Sequence, residues 1–449
     1  MSSARQIAFD LLRHTNDGRY PLDHWLDQSE PRLRALSRAD RALVHALVYG
    51  TLRWQGRLDF IIDHLADKPG KIDLRARIIL RIALFQMHHM DRIPEAAAVH
   101  SAVELAKKNR LQWAAGFING LLRRAARRPL IPFPDFTKVP DQALAVTLSF
   151  PHWLTTRWLS RWGPDETWRL CEAINRVPSL TLRANTLKID RPALMEALQV
   201  EAAQVQSTPH APAGVTITAL NRPISQWPSF QQGWFQVQDE AAQLVVHMLA
   251  PQPGETVWDA CAGLGTKTAH IAQRMNNQGH LLASDLNPFK LDRLTEEMGR
   301  LGVTIVTCRA LDLTAEGPSD WPAFDRILVD APCSGLGVLQ KNPDGKWRIT
   351  AQDLARYQHR QVALLARAAP HLRAGGLLVY AVCSFEPEEN EAVMKAFLQN
   401  HPDFAIHHPG TRAAVDFQPA LLTPEGCLST LPHRHLMDGF FAAAFTKRN

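Results

Sequence analysis

The segment Asp330-Ala-Pro-Cys-Ser-Gly-Leu-Gly337 places a carboxylate and a thiol close together where a predicted strand ends. The strand is Arg326-Ile-Leu-Val-Asp330, whose apolar residues are typical of a buried strand, and Pro332 and the glycines end it. A second thiol, Cys383, follows another apolar segment, Gly376-Leu-Leu-Val-Tyr-Ala-Val382. Ligands of open α/β sheets bind at the carboxyl ends of the strands. Two thiols there, beside a nucleotide pocket, predict covalent chemistry on a substrate.

A thiolate that adds to carbon 6 of a pyrimidine makes carbon 5 nucleophilic enough to attack an electrophilic methyl group. A carboxylic acid near ring nitrogen 3 favours the addition, and Asp330 beside Cys333 is suited to that role. A cation would help to form the thiolate, and Lys267 is our candidate; the alternative is a lysine on a helix surface. The spacing does not decide whether Cys333 or Cys383 attacks. Two buried structural thiols remain the alternative for the pair.

A loop rich in small residues follows the predicted strand Thr256-Val-Trp258 and continues as Asp259-Ala-Cys-Ala-Gly-Leu-Gly-Thr-Lys-Thr268. Glycine lets a backbone approach a ligand closely, and the N–H groups at the start of a helix after Thr266 are free to contact one. We expect this loop to bind a cofactor, with Cys261 contributing its backbone only. The predicted cofactor-binding residues of the loop are Cys261, Ala262, Gly263, Leu264, Gly265, Thr266 and Lys267.

Two further carboxylates follow the next two predicted strands. Asp285 is placed to accept hydrogen bonds from a ribose diol, and Asp312 from an adenine amino group. The loop lacks the third glycine of a dinucleotide-binding motif and the spacing of a P-loop. S-adenosylmethionine needs contacts to ribose and adenine but no pyrophosphate cradle, so it is the nucleoside ligand that fits best.

From about residue 230 strands alternate with helices, which predicts a parallel sheet with helices on both faces. A late segment, Phe440-Phe-Ala-Ala-Ala-Phe445, predicts an antiparallel edge strand. The cores of the parallel strands are Thr256-Val-Trp258, Leu281-Leu-Ala283, Thr304-Ile-Val-Thr307, Ile327-Leu-Val329 and Leu377-Leu-Val-Tyr380.

Residues 2–128 carry apolar side chains at helical spacing and predict a bundle of six helices. Ser37 is placed to cap the second helix, a separate third helix is predicted around residues 58–65, and residues 74–90 predict the central one. The prolines that follow mark a linker: Pro129, Pro132, Pro134 and Pro140.

Tryptophan and arginine interleave beyond the linker, where they could stack on bases or, as we favour at this helical spacing, belong to a core. The residues are Trp153, Arg157, Trp158, Arg161, Trp162, Trp168 and Arg169. A strand over 180–185, a helix from Asp190 to Leu198 and a strand over 215–218 then predict a small α+β unit. We therefore expect three domains, over residues 1–140, 141–230 and 231–449.

The charge of the chain is concentrated near its amino terminus. Residues 1–150 hold 23 Lys and Arg against 15 Asp and Glu, a net charge of +8, which leaves −2 for the rest of a chain whose total is +6. A polyanion such as nucleic acid is the favoured partner of this basic third, and a merely solvated surface is the alternative. The six cysteines are dispersed without a CxxC pair, so we expect no metal site. No apolar segment is long enough to cross a membrane, and nothing resembles a signal peptide, so we expect a cytoplasmic protein.

Three segments together closely resemble the RNA 5-methylcytosine methyltransferases. They are Asp330-Ala-Pro-Cys-Ser-Gly-Leu-Gly-Val338, Asn342-Pro-Asp-Gly-Lys-Trp347 and Cys383-Ser-Phe-Glu-Pro-Glu-Glu-Asn390. The basic helical region before them resembles the NusB-type RNA-binding domain of the RsmB/Fmu branch, which modifies a cytosine of small-subunit ribosomal RNA. This resemblance covers nearly the whole chain. It implies a multidomain protein with an all-α NusB-like bundle, a small α+β middle domain and an α/β Rossmann-like methyltransferase domain.

The resemblance also implies roles for the catalytic residues. Cys383 would be the nucleophile that adds to carbon 6, and Cys333 would assist release of the product from the adduct. Asp330 would contact the cytosine and lie near the methyl donor. In DNA 5-methylcytosine enzymes the thiol of the Pro-Cys pair is the nucleophile, so the assignment to Cys383 depends on the resemblance to the RNA enzymes.

For the cofactor, S-adenosylmethionine, the resemblance implies that Asp285 holds the ribose, Asp312 the adenine and the loop 261–267 the methionine part. The sequence departs from the family in two places. The loop has Gly-Leu-Gly-Thr-Lys-Thr where the family usually has Ala-Pro-Gly-Gly-Lys-Thr, and Val382 stands where the family has threonine before the nucleophile. Lys267 and both cysteines are kept, so we expect activity.

The expected function is therefore methylation of a cytosine in RNA, most simply 16S ribosomal RNA, by a monomer. Two alternatives stay open at this point. One is the same chemistry on transfer RNA, and the other is a non-catalytic RNA-binding factor of ribosome assembly that kept the fold.

Overall fold

A computed structural model describes residues 4–220, 222–315, 321–408 and 417–448. The chain forms two compact units. The first comprises residues 1–176 together with 339–350, and the second comprises residues 177–338 together with 351–449. None of the described helices has the length and apolar character that crossing a bilayer requires.

The first unit is helical. Its helices are α1 (Ala4–Thr15), α2 (Leu22–Arg34), α3 (Arg38–Leu65), α4 (Leu74–His89), α5 (Glu95–Lys108), α6 (Gln112–Ala126), α7 (Pro140–Thr147) and α8 (His152–Asn175). Helix α4 carries an unbroken buried segment from Ile78 to Gln86, which confirms it as the central helix. The Ser37 side chain accepts a hydrogen bond from Asp40 N at 3.1 Å, as predicted for an N-cap.

Two predictions for this bundle are wrong. The predicted second and third helices, which the prediction separated between Trp54 and Leu58, form one continuous helix, α3. A Cβ at Gly50 would lie 1.9 Å from Phe85 Cζ, so this glycine lets α3 pack closely against α4. Helix α2 was not predicted, because it buries only Leu22 and Leu33 and its apolar pattern is too sparse.

The predicted linker and the tryptophan-rich helix after it can be compared with the structure. No described helix or strand lies between α6 and α7. Trp158 of α8 is fully buried against Phe150, which confirms a core role for this tryptophan. Gly163 has a φ of +75° and interrupts α8, and Pro164 begins its second half.

The segment 339–350 belongs to the first unit although it lies between two elements of the second. Its Lys346 is fully buried and donates hydrogen bonds to Asn175 Oδ1 at 2.6 Å and to the carbonyl oxygens of Arg53 and Ser149, both at 3.2 Å. Trp347 Nε1 donates to Leu52 O at 2.7 Å. These bonds connect the segment to α3, α8 and the turn before α8.

The second unit contains two sheets. Its strands are β1 (Leu180–Ala184), β2 (Ala202–Ser207), β3 (Gly214–Leu220), β4 (Phe235–Val237), β5 (Thr256–Asp259), β6 (His280–Asp285), β7 (Val306–Ala310), β8 (Phe324–Asp330), β9 (Leu372–Val382), β10 (Phe404–Ile406), β11 (Leu428–Ser429) and β12 (Phe441–Lys447). The remaining helices in chain order are α9 (Arg191–Leu198), α10 (Pro228–Gln231), α11 (Glu240–Leu249), α12 (Thr266–Arg274), α13 (Pro288–Leu301), α14 (Gly345–Arg348, in the first unit), α15 (Ala351–Ala368), α16 (Glu391–Asn400) and α17 (Pro432–His435).

The smaller sheet is antiparallel, in the order β2-β3-β1-β4, with α9 beside β2 and β3. The predicted strands β1 and β3 and the predicted helix α9 are present, and Asp190 caps α9 by accepting from Ala193 N. Strands β2 and β4 were not predicted. Strand β2 is mostly polar and exposed, and β4 has only three residues, so neither has a clear period.

The larger sheet has the order β10-β12-β9-β8-β5-β6-β7, with β11 paired to β12. Strands β5 to β9 are parallel and β12 is antiparallel, as predicted. The prediction that β12 is an edge strand is wrong, because the short strand β10 pairs with its other side. The order reverses between β5 and β8, because the chain adds β6 and β7 on one side of β5 before it adds β8 on the other. In such sheets the crevice at the carboxyl ends of the two strands at this reversal is the ligand site.

One buried arginine of β1 joins the smaller sheet to helix α12. Arg183 is fully buried and donates to Gln273 Oε1 at 3.0 Å, to Gln236 Oε1 at 2.9 Å and to Thr266 O at 3.0 Å. It also donates to Gln238. Burial lowers the pKa of Arg183 to about 9. The guanidinium thus connects the smaller sheet to the first residue of α12, which begins at the predicted cofactor loop.

Candidate active site

The loop after β5 has the tight backbone that its glycines predicted. Gly263 and Gly265 both have positive φ, +57° and +82°, and Gly265 is the N-cap of α12. A Cβ at Gly265 would lie 2.5 Å from Leu294 Cγ, so only glycine fits there. A Cβ at Gly263 would meet no heavy atom within 4 Å, so the loop faces open space at that residue. Ala262 N donates to Ser284 O at 2.8 Å and ties the loop to β6.

Asp285, at the end of β6, lies directly beside this loop. Its Oδ2 accepts from Gly263 N at 3.0 Å and its Oδ1 accepts from Asn287 N at 2.9 Å. Leu311 N donates to Asp285 O at 3.0 Å, so Asp312 follows next to it at the same edge of the sheet. Asp312 is exposed, and hydrogen bonds from the Thr314 hydroxyl and N–H lower its pKa.

These residues fit a nucleoside. An ionised carboxylate offers about four acceptor positions, and Asp285 uses two of them and Asp312 uses positions on Oδ1 only among the described residues. Both therefore keep acceptor positions for the hydroxyl and amino groups of an adenosine. The open backbone at Gly263 provides the close approach that such a ligand needs.

Lys267 and Asp330 form a short ion pair between α12 and the end of β8. The distance from Lys267 Nζ to Asp330 Oδ2 is 2.6 Å, and the lysine is only 7% exposed. Burial alone would lower the pKa of Lys267, but the charge and hydrogen bond of Asp330 outweigh it, and the charge of Cys383 adds to the same effect, so the pKa is raised. The ammonium also lies 5.2 Å from the ring centroid of Phe440. Lys267 is thus a buried, protonated cation rather than a lysine on the helix surface.

The two predicted catalytic cysteines are adjacent. Cys333 Sγ and Cys383 Sγ lie 3.1 Å apart. The hydrogen bond with Cys383 and burial both raise the pKa of Cys333, so this residue keeps its proton. Gly337 N donates to Cys383 O at 3.0 Å, and a Cβ at Gly337 would lie 1.8 Å from Gly439 O. The glycines after Cys333 therefore let its loop pack directly against the backbone of Cys383.

The structure thus brings the predicted residues to one edge of the larger sheet, at the ends of β5, β6, β7, β8 and β9. Cys261 also lies there, and burial and the charge of Asp259 raise the pKa of its thiol, which disfavours the thiolate. Cys171 and Cys427 are buried and Cys308 packs beside Thr295. Among the described residues no cluster of His, Cys, Asp or Glu could hold a metal ion.

Sequence reasoning missed two buried carboxylates of this site. Asp259 is fully buried, accepts from Thr268 Oγ1 at 2.7 Å through Oδ2, and has no hydrogen-bond partner for Oδ1. Burial raises its pKa to about 7. Glu389 is also fully buried and is hydrogen-bonded to the serine that follows each cysteine. The repeated Cys-Ser pair at Cys333 and Cys383 is a signal in the sequence that points to the two serines, but it does not indicate which glutamate binds them.

Comparison with known proteins is consistent along the whole chain. Residues 246–446 match the family described as 16S rRNA methyltransferase RsmB/F, residues 2–127 match the NusB family, and residues 150–224 match the ferredoxin-like domain of RsmF/B-like methyltransferases. The probable ribosomal RNA small subunit methyltransferase B of Synechocystis sp. is 39% identical, with 100% of both chains covered. The protein of the same name from Bacillus subtilis is 36% identical over 100% of this chain and 99% of its own.

The solved structures agree with this result. The crystal structure of PH0851 superposes with a TM-score of 0.82 and 25% identity, covering 98% of each chain. The predicted division into a NusB-like helical region, a small α+β region and a Rossmann-like methyltransferase sheet is confirmed. This chain belongs to the RsmB/F family of 16S rRNA methyltransferases.

Proposed function

We propose that this enzyme methylates carbon 5 of a cytosine in 16S ribosomal RNA through a covalent adduct between a cysteine and the cytosine. The observation that carries the proposal is the pair of thiols, 3.1 Å apart, beside a buried lysine–aspartate pair at the ligand edge of the sheet. Family membership supports the reaction class and the RNA substrate.

Cys383 is the nucleophile of this proposal, and its sulfur forms a bond to carbon 6 of the cytosine. Lys267 supports the thiolate, because its buried ammonium interacts electrostatically with Cys383. Asp330, held by Lys267, contacts the cytosine ring and orients it. S-adenosylmethionine, when bound, supplies an electrophilic methyl group.

Cys333 acts in the second half of the reaction. After carbon 5 is methylated, a water molecule takes its proton, the electrons of that C–H bond form the double bond between carbons 5 and 6, and the bond between Cys383 Sγ and carbon 6 breaks. Cys333 assists this elimination by donating its proton to the departing sulfur, which lies 3.1 Å away, and it is protonated again from solvent.

The cofactor is held by the loop after β5 and by the carboxylates of Asp285 and Asp312. Asp285 binds the ribose diol, Asp312 the adenine amino group, and residues 261–267 the methionine part, with Asp330 near the methyl donor. The support for this assignment is that both carboxylates retain acceptor positions and that the loop faces open space at Gly263.

The basic helical region, residues 1–140, binds RNA in this proposal, residues 141–230 form an RNA-associated middle domain, and residues 231–449 catalyse the reaction. The net charge of +8 over residues 1–150 supports the first assignment, because phosphate contacts dominate affinity for RNA. We expect a monomeric enzyme that works in the cytoplasm.

Substitution of the two cysteines tests the mechanism. Cys383→Ala should abolish methyl transfer to 16S ribosomal RNA, whereas Cys333→Ala should accumulate a covalent protein–RNA species that survives denaturing electrophoresis. Cys308→Ala, which removes a thiol distant in sequence from both motifs, is the control and should behave as the wild type. Full activity of Cys383→Ala would show that the assignment of the nucleophile is wrong.

The choice of RNA needs its own experiment. Purified 16S ribosomal RNA and transfer RNA are offered separately to the wild-type enzyme, and 5-methylcytosine is mapped by bisulfite sequencing. Methylation of transfer RNA alone would support the same chemistry on another substrate. A failure to bind S-adenosylmethionine in a calorimeter would instead favour a non-catalytic RNA-binding factor.

A further inference from the structure

The Glu389 carboxylate accepts four hydrogen bonds, although it has no ion-pair partner among the described residues. It is fully buried. Its Oε1 accepts from Ser334 N at 2.8 Å and from Gln361 Nε2 at 3.1 Å. Its Oε2 accepts from the hydroxyls of Ser334 at 2.5 Å and Ser384 at 2.6 Å. All of the roughly four acceptor positions of a carboxylate are therefore used.

No Lys, Arg or His of the described chain forms an ion pair with Glu389. Burial raises the pKa of Glu389, and the hydrogen bonds from Ser334, Ser384 and Gln361 act in the opposite direction. A buried carboxylate without a cation is costly and is tolerated only when its hydrogen bonds are complete. The segment is fixed further by Tyr380, whose hydroxyl donates to Glu389 O at 2.6 Å.

The two serines are the residues that directly follow Cys333 and Cys383 in the sequence. They lie on loops after different strands, β8 and β9, and their hydroxyl oxygens converge on one oxygen atom of Glu389. Gln361 extends the same network to the residue before Cys333, because its Nε2 also donates to Pro332 O at 3.1 Å. The residues on both sides of Cys333 are thus connected to Glu389, which also accepts the hydrogen bond from Ser384.

We propose that Glu389 is a positioning residue that sets the distance between the two reactive sulfur atoms by anchoring the serine after each cysteine. The proposal deepens the function proposed above and rests on it for its catalytic consequence. The two thiols act on one cytosine in succession, so a change in their separation moves one of them away from the reacting atoms. A displacement of about 1 Å in such a site can cost about 100-fold in rate.

The geometric part of this proposal is measured without RNA or cofactor. Diamide oxidises two adjacent thiols to a disulfide and is itself reduced to the hydrazine, so the rate of formation of the Cys333–Cys383 disulfide reports how closely the sulfurs are held. We expect Ser334→Ala, Ser384→Ala and Glu389→Gln each to lower this rate about tenfold. Glu388→Gln makes the same chemical change one residue away and should keep the wild-type rate.

Alkylation by iodoacetamide distinguishes a change in the distance between the two thiols from a change in their exposure to reagents. The rate at which each thiol is alkylated should change less than the rate of disulfide formation if the main effect is on their mutual distance. The serine variants remove one oxygen atom each and add no bulk, so they remain informative if Glu389→Gln fails to fold. Circular dichroism and thermal unfolding identify folded variants before any rate is compared.

The catalytic part is measured by methyl transfer. We expect the three variants to lower kcat about tenfold or more while the KM values for RNA and S-adenosylmethionine stay close to those of the wild type. Because all three act through one carboxylate, the double variant Glu389→Gln/Ser384→Ala should lose much less than the product of the two single effects. A purely structural role would lower the melting temperature without this pattern.

Two outcomes would overturn the proposal. Unchanged disulfide rates in folded variants would show that Glu389 does not set the sulfur distance, whatever the enzyme methylates. Slower disulfide formation with unchanged kcat would show that the distance does not limit catalysis. The wild-type protein could fail to methylate RNA while the variants still form the disulfide more slowly, as expected. That result would contradict the proposed function but not the positioning role of Glu389.

Discussion

Lys267 Nζ lies 2.6 Å from Asp330 Oδ2, joining the start of α12 to the end of β8 within the catalytic edge of the sheet. Removal of the lysine alone leaves Asp330 with an uncompensated charge, which costs about 3 kcal/mol of unfolding free energy in comparable buried pairs. We predict that Lys267→Met is destabilised by about this amount and that the added change Asp330→Asn restores part of it. Urea denaturation of both single variants and the double variant measures the coupling, and simple additivity would contradict the prediction.

A side chain at Gly337 should disturb the active site by a steric clash. Its substitution by alanine would place Cβ 1.8 Å from Gly439 O and 2.9 Å from Cys383 O, so the backbone that carries a reactive thiol must move. We expect Gly337→Ala to lose methyl transfer and to unfold more readily, by about 1–3 kcal/mol. Gly299→Ala is a matched control in α13, where an added Cβ meets nothing within 4 Å. That variant should be stabilised by about 0.5–1 kcal/mol because alanine favours a helix.

The buried carboxyl group of Asp259 should make the stability of the folded chain depend on pH. Burial raises its pKa to about 7 in the folded chain, with the charges of Asp330 and Asp285 acting in the same direction and the Thr268 hydroxyl opposing them. An unfolded aspartate titrates near pH 4, so between about pH 4 and about pH 7 the folded state binds more protons and loses stability as the pH rises. Asp259→Asn cannot ionise.

The difference in unfolding free energy between Asp259→Asn and the wild type should therefore shift in favour of the variant from about pH 5 to about pH 8. Chemical denaturation at the two pH values measures this shift. Asp292→Asn, at an exposed residue of α13, is the control and should show little shift. A pH-independent difference for Asp259→Asn would contradict the protonation that we infer.

Arg183 predicts a large loss of stability from a residue outside the catalytic motifs. Its substitution by methionine leaves buried side-chain acceptors without the donor that they now have, namely Gln236 Oε1, Gln238 Oε1 and Gln273 Oε1. Each unsatisfied buried acceptor costs about 1–3 kcal/mol, so we expect more than about 3 kcal/mol in total. Arg373→Met removes an arginine of a partly exposed pair with Asp325 and should cost about 1 kcal/mol or less. Equal losses in the two variants would show that the buried network contributes little.

Local patterns in the sequence predicted the catalytic sheet well. Each parallel strand has a short apolar core, and a polar or glycine-rich loop follows at its carboxyl end, so the placement of Asp285, Asp330 and both cysteines at one edge follows from parallel strand geometry. The antiparallel direction of β12 was also predicted. The predicted boundary between the second and third helices is wrong, because the buried residues Thr51, Leu58 and Leu65 recur every seven residues along one continuous helix.

The features that could not be predicted from the sequence depend on contacts between residues that are far apart in the chain. Glu389 is separated from Ser334 by 55 residues, and nothing in the local pattern of its motif distinguishes it from Glu386 or Glu388. The ion pair of Lys267 with Asp330 spans 63 residues, so only a cation near the thiols, not its partner, could be proposed. The participation of residues 339–350 in the helical unit is equally invisible, because the segment has no strong apolar period of its own.

The contribution of residues 339–350 to the first unit has a consequence for synthesis on the ribosome. The amino-terminal helices emerge first, yet the site formed by Arg53, Ser149 and Asn175 receives the Lys346 side-chain amine only after more than a third of the chain has followed. Until then the carbonyl and amide oxygens of that site must be hydrated. The helical unit therefore reaches its final form late in translation, and a fragment that stops at residue 176 would resemble an intermediate of biosynthesis rather than a mature domain.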